Sequence, residues 1–208
     1  MDTGQTLPAR MYLLAYDLGR DKPSGRPWLG YAVQGAALTE LLAEGLLIDA
    51  GAAVIPAVER PAGEILGLVW QQAVRPRPHG WRGLLRQGRA TLAAVEDQLI
   101  LEGMFEPKGR GLVAMDREAI AGLQTRARQI LCGEAGDEGG AVLDAALVAV
   151  ASVIPLRTVY DRRRRSQDRE RVDVLTRRVS LKAPGFDRLL RQMRHTRGRS
   201  YPAGGAVF

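Results

Sequence analysis

The sequence predicts a mainly α fold: a helical bundle around a central apolar helix, with a protruding β-hairpin. Three observations predict it. Apolar residues recur at helical spacing over long stretches, as in Leu29, Val33, Ala36, Ala37, Leu41 and Leu42. Ala141 to Ile154 is almost wholly apolar, yet shorter than the ~20 residues a bilayer span needs, and so reads as a buried helix. Met104-Phe105 and Leu112-Val113 are short apolar runs joined by a loop with Pro107, Gly109 and Gly111, the pattern of a hairpin. Composition agrees. Hydrophobic residues at 46% and charged residues at 25% are ordinary globular usage, and aromatics at 5% leave Leu, Val, Ile and Ala to fill the core. A chain of 208 residues suits one domain. Residues 11–195 are expected to form it, with 1–10 and 196–208 as tails.

The elements follow in order. Met11 to Asp17 is apolar and fits either a strand or a first helical segment. Trp28 to Ala43 has helical periodicity and ends at Gly45, where a left-handed cap is expected. Leu46-Leu47-Ile48 is a short strand candidate, and Glu64 to Val74 a helix. The Pro-rich loop from Arg75 to Gly80 separates that helix from Trp81. Leu85, Leu92, Val95 and Leu99 share a helical face, and Gly103 ends that helix before the hairpin. Leu42 to Leu47 and Ile100 to Phe105 thus carry the same phrase, read here as convergent capping chemistry rather than a repeat. Asp116 suits the N-cap of a helix bearing Ile120, Leu123, Ala127 and Ile130. Gly133 to Gly140 is a loop before the apolar helix. Val172, Leu175 and Val179 mark a further helix, Pro184-Gly185 a break, and Phe186 to Met193 a last amphipathic helix.

The net charge of +7 is unevenly spread. Residues 1–156 hold 15 Lys+Arg against 18 Asp+Glu, whereas 157–208 hold 15 against 5. Segment 157–195 is therefore atypically basic, which points to an anionic partner or to a solvated helix surface. Cys132 is the one cysteine, so neither an intrachain disulfide nor a multi-Cys zinc site is possible. His79 and His195 have no companions at triad or metal-ligand spacing, and no phosphate-cradling Gly motif follows a strand. The inventory argues against an enzyme and gives no cofactor or metal site. No secretory signal pattern opens the chain, which fits a cytoplasmic location.

Three features suit an anionic ligand. Arg82, Arg86 and Arg89, at i, i+4 and i+7, would lie along one face of a single helix, where guanidinium forks match phosphate oxygens. Arg110 gives the hairpin a basic tip beside Leu112 and Val113. The run Arg162 to Arg165 would suit phosphates of any kind.

The colinear order of these phrases resembles the Golgi phosphoprotein 3 family, including its bacterial-type members. The resemblance rests on Gly35 to Ile48, on Gly80-Trp81-Arg82-Gly83-Leu84-Leu85, on Leu99 to Phe105 with the hairpin after it, and on Gly133-Glu134-Ala135 leading into the apolar helix. It implies a helical domain with a protruding hairpin. From the eukaryotic members it also implies docking on membranes through phosphatidylinositol 4-phosphate, with the hairpin serving membrane insertion or self-association. Trp28 lies about one helical turn from the family's head-group Trp, and Arg89 matches the first of its paired Arg. Gln34 and Leu92 stand where the family has Arg. The expected function is a peripheral membrane-binding protein, with Trp28, Arg82, Arg86 and Arg89 holding a phosphoinositide or other anionic phospholipid, and Arg110, Leu112 and Val113 forming the hairpin anchor. The alternatives are a nucleic-acid-binding module built on the C-terminal Arg cluster, and a protein-interaction scaffold forming a homo-oligomer through the hairpin.

Overall fold

The structure, a computed structural model, describes residues 5–25, 27–74, 80–109, 111–134, 142–154, 156–160 and 165–199. Helix α1 (Leu7–Ala15) comes first. The apolar segment left open between strand and helix is therefore helical to Ala15, and Tyr16–Asp17 (β1) then pairs with Lys22–Pro23 (β2). Pro8 in the first turn has φ preset for a helix. The N–H of Leu7 donates to the Glu40 carboxylate at 2.8 Å, so a distant side chain caps α1. The residues read as an N-terminal tail thus include the start of a core helix, with Leu7 and Ala9 buried.

Helix α2 (Leu29–Ala43) is buried on nearly every side and packs against α1 and against α3 (Glu64–Ala73), α4 (Trp81–Leu85), α5 (Gly88–Leu101), α7 (Val142–Ala151) and α9 (Phe186–Arg199). Ala32, Gly35, Ala36 and Ala37 keep its surface low enough for these approaches. Helix α7 is the apolar helix expected at the centre, and it shares that place with α2. It packs against α1, α2, α6 (Arg117–Cys132) and α8 (Arg165–Lys182). The N-cap of α6 is Asp116, whose carboxylate accepts from the Ala119 N–H at 2.9 Å. Asp144 of α7 accepts from Arg10 of α1 and, at 2.8 Å, from Arg126 of α6. Burial alone would raise its pKa, but the two guanidinium partners hold it below the usual carboxylate range.

Two further antiparallel hairpins complete the fold. Leu47–Asp49 (β3) pairs with Val54–Pro56 (β4), and Phe105–Lys108 (β5) with Gly111–Ala114 (β6). The second was expected; the pairing of the first was not. Phe105 anchors the second hairpin edge-on against Tyr12 and Tyr16, with ring centroids 5.5 and 4.9 Å away.

The shared capping phrase belongs to a longer correspondence. Residues 58 apart superimpose in role: Gly30 with Gly88, Gly45 with Gly103, Leu47 with Phe105, Gly51 with Gly109, and Pro56 with Ala114. Gly45 and Gly103 have φ of 73° and 70°, and Gly51 and Gly109 have φ of 87° and 61°. The Leu46 N–H bonds the Leu41 carbonyl at 2.8 Å, and the Met104 N–H bonds the Leu99 carbonyl at 2.9 Å. Each unit is a helix, a left-handed glycine and an antiparallel hairpin, followed by another helix. The expectation that only the cap recurs is corrected: residues 30–57 and 88–115 form a structural repeat. Burial has pulled their sequences apart, because α2 is a core helix whereas α5 buries only Gly88, Thr91, Val95 and Leu99.

Candidate functional site

The two units meet at their helix N-termini. A Cβ on Gly30 would lie 2.9 Å from the Gly88 carbonyl oxygen, and one on Gly88 would overlap the Gly30 carbonyl, so the two backbones touch reciprocally. One turn further on, the Thr91 hydroxyl donates to the Gln34 amide oxygen, so the contact between α2 and α5 continues past the glycines. The N-caps are Trp28 and Gln87. Neither gives a side-chain cap bond, and neither first turn holds an acid. Two positive helix ends are thus brought together without a carboxylate in either first turn.

The three arginines lie beside this crossing, but not on one helix. The chain turns at Arg86 and Gln87, so Arg82 belongs to α4, Arg86 caps its C-terminus, and Arg89 lies in the first turn of α5. All three side chains are exposed, and none has a hydrogen bond or ion pair among the described residues.

Trp28 is half-buried and meets Tyr31 edge-on, with centroids 6.0 Å apart and an interplanar angle of 84°. The Tyr31 hydroxyl donates to the Gln192 carbonyl of α9 at 3.5 Å. Burial raises the Tyr31 pKa, while the Thr196 hydroxyl and the Arg82 guanidinium pull it back. Arg82 is therefore close enough to be felt at the phenol. Tyr31 was missed in the sequence, as were the two glycines of the crossing and the end of α9. Only the recurrence of Gly-x-Ala at Gly30 and Gly88 pointed to the crossing.

Gln34 and Leu92 take no part in the exposed face. Gln34 is fully buried: its amide nitrogen donates to Gln72 of α3 at 2.9 Å and to the Leu84 carbonyl of α4 at 3.0 Å, while its oxygen accepts from Thr91. It links four helices. Leu92 packs partly buried against the core.

At the hairpin, Leu112 and Val113 are half-buried, and the Leu112 carbonyl accepts from the Tyr16 hydroxyl at 2.9 Å. Glu106, Pro107, Lys108 and Gly109 are exposed, so the end of the hairpin projects while its base rests on the core. Arg110 lies outside the described residues. So do Arg162, Arg163 and Arg164, and Arg165 opens α8. The basic C-terminal quarter is no detached arm. Helix α8 packs on α7, α9 packs on α2 and α4, and Phe186, Leu189, Leu190 and Met193 are buried. Several of its arginines are already paired, among them Arg188 with Asp49 at 3.0 Å and Arg191 with Asp187 at 2.7 Å.

Among the described residues, no helix is long and apolar enough to cross a membrane, and no group of three His, Cys, Asp or Glu is placed to hold a metal ion. No curated protein matches the chain. The family comparison does find a match: residues 7–193 fit Golgi phosphoprotein 3 (GPP34), which takes in α1, the whole repeat and the basic helices up to Met193. With most of its length matched in that way, the chain belongs to the Golgi phosphoprotein 3 family.

Proposed function

We propose that this protein is a non-enzymatic, peripheral membrane-binding protein that holds the anionic head groups of phospholipids. The observation that carries the reading is the set of three exposed arginines, without an ion pair among the described residues, beside two helix N-termini that have no side-chain cap. Both the arginines and the helix N-termini favour negative charge, and phosphate oxygens suit guanidinium forks. Basic side chains near an anionic leaflet contribute about 1 kcal/mol apiece, so Arg82, Arg86 and Arg89 together supply useful but reversible affinity. The Phe105–Ala114 hairpin, with Leu112 and Val113 half-buried, is a second and weaker anchor; the arginine face does most of the binding.

The test is cosedimentation with vesicles of graded anionic lipid content at low salt. Wild type is expected to bind increasingly with anionic content, and the triple Arg82→Ala, Arg86→Ala, Arg89→Ala variant to bind about 100-fold more weakly. Equal binding by both proteins would contradict the reading. Deleting everything after Leu156 is not a clean alternative, because it also removes α8 and α9 from the bundle.

A further inference from the structure

We propose that the β3–β4 hairpin is an apolar anchor that dips into the lipid beside the arginine face. The inference rests on the reading of that face as the contact with anionic phospholipid, and adds to it residues that touch no head group. From Leu46 to Val58 the chain carries one charge, Asp49. That charge is turned inward. Its carboxylate is 6% exposed and accepts from Arg188 at 3.0 Å and from the Gly51 N–H at 2.9 Å, and a Cβ on Gly185 would overlap the side chain. What faces outward is uncharged. Ile48 and Ile55 sit opposite each other at 55% and 46% exposure, Ala50, Gly51 and Ala52 form an exposed turn, and Val58 is fully exposed. Apolar residues scattered singly need no partner, but a continuous uncharged ribbon marks a binding surface.

The surroundings of this ribbon favour a bilayer as the partner. Its turn lies against Gly80, the N-cap of α4: a Cβ there would be 3.2 Å from the Ala52 carbonyl oxygen, and Arg82 follows two residues later. The apolar tip thus adjoins the first of the three arginines. Its backbone also suits a medium poor in water, since the Ala50 N–H bonds the Ala53 carbonyl at 3.0 Å and Asp49 takes the Gly51 N–H. Two isoleucines, a valine and a turn of alanines fall well short of the roughly 1,000 Å² that a stable pairing of two copies buries, whereas shallow insertion needs only a few apolar side chains. The Phe105–Ala114 hairpin is less suited, with Glu106 and Lys108 exposed near its end.

An environment-sensitive dye on the turn, attached through Ala52→Cys in a Cys132→Ser background, reads the insertion. With vesicles rich in phosphatidylserine, its emission is expected to shift to the blue and to be quenched by lipids brominated in the acyl chains. Separately, Ile48→Ser combined with Ile55→Ser is expected to lower vesicle binding about tenfold at an unchanged urea midpoint. That ratio should hold as salt is raised, whereas the effect of the triple arginine variant should shrink. A dye that stays in water on vesicle-bound protein, or wild-type binding by the double serine variant, would overturn the inference and leave the arginine face standing. So would a wild-type dimer in lipid-free sedimentation that the double serine variant abolishes, which would give the surface to a second copy. Failure of wild type to bind these vesicles would overturn both readings.

Discussion

The unit from Gly30 to Ala57 and the unit from Gly88 to Met115 share a backbone and little else. Both have the left-handed glycine, the carbonyl bond closing the helix end and the two-stranded hairpin. Their surroundings differ. Helix α2 is enclosed by six other helices and is built of Ala, Gly and Leu, whereas α5 keeps its polar side exposed. The hairpins diverge in the same way: Ile48 and Ile55 form an exposed cross-strand pair in the first, and Glu106 and Val113 occupy the same register in the second. Capping geometry is fixed locally and persists, while side chains follow burial. The candidate site arises where the units touch, with Trp28 just before the first unit and Tyr31 in it, and Arg86 just before the second and Arg89 in it.

The largest effect should come from breaking that contact. Gly88→Ala places a methyl group in the Gly30 carbonyl, and with backbone on both sides neither helix can yield cheaply. A loss of about 3 kcal/mol or more is expected, read as a fall in the urea midpoint of unfolding. By contrast, Gly45→Ala and Gly103→Ala meet nothing within 4 Å and differ from wild type only in their positive φ. Each should cost about 1 kcal/mol, and the two costs should match. Unequal costs would show that the repeat is not energetically equivalent even at its caps.

Glu40 and its counterpart Gln98 give a second contrast. Glu40 is buried against the Leu7 N–H, and burial, with Glu44 nearby, pushes its pKa up to about 7. The folded state therefore holds a proton that the unfolded chain releases near 4.5. The sign follows: stability falls as pH rises from about 4.5 to about 7, and the cost is complete above that. Glu40→Gln keeps an acceptor for Leu7 and removes the charge, so it should flatten this part of the profile and gain about 2 kcal/mol at pH 8. Asp144 acts oppositely. Its lowered pKa supplies stability above the ordinary carboxylate range that is lost as pH falls through it, so acid unfolding should come earlier in an Arg126→Ala variant. Ile48→Glu, which makes the first hairpin resemble the second at an exposed position, should change stability by less than about 0.5 kcal/mol.

These elements also show what a single sequence makes legible. Helices with a strong apolar period and a chemical cap were readable: Asp116 caps α6 as expected, Gly45 and Gly103 end α2 and α5, and the turn at Gly185 separates α8 from α9. Helix α1 was ambiguous because it is apolar all round, and burial on every face erases the period. The β3–β4 pairing was hidden because three-residue strands leave no alternation to count. For the site, the residue types were visible and their arrangement was not. Three arginines spaced for one helix lie across a break, beside a Gly–Gly contact between residues 58 apart. The Tyr31 environment depends on α9, more than 150 residues away, and no local pattern encodes it.

The central claim is that anionic lipid is held where α2 and α5 cross. Amide hydrogen exchange of the full chain, with and without phosphoinositide vesicles, tests it most directly. The account predicts new protection at residues 28–32 and 86–91 together, with the exposed faces of α6 and α8 unchanged. Protection confined to α8 and α9, or none at either helix N-terminus while the protein is vesicle-bound, would contradict it.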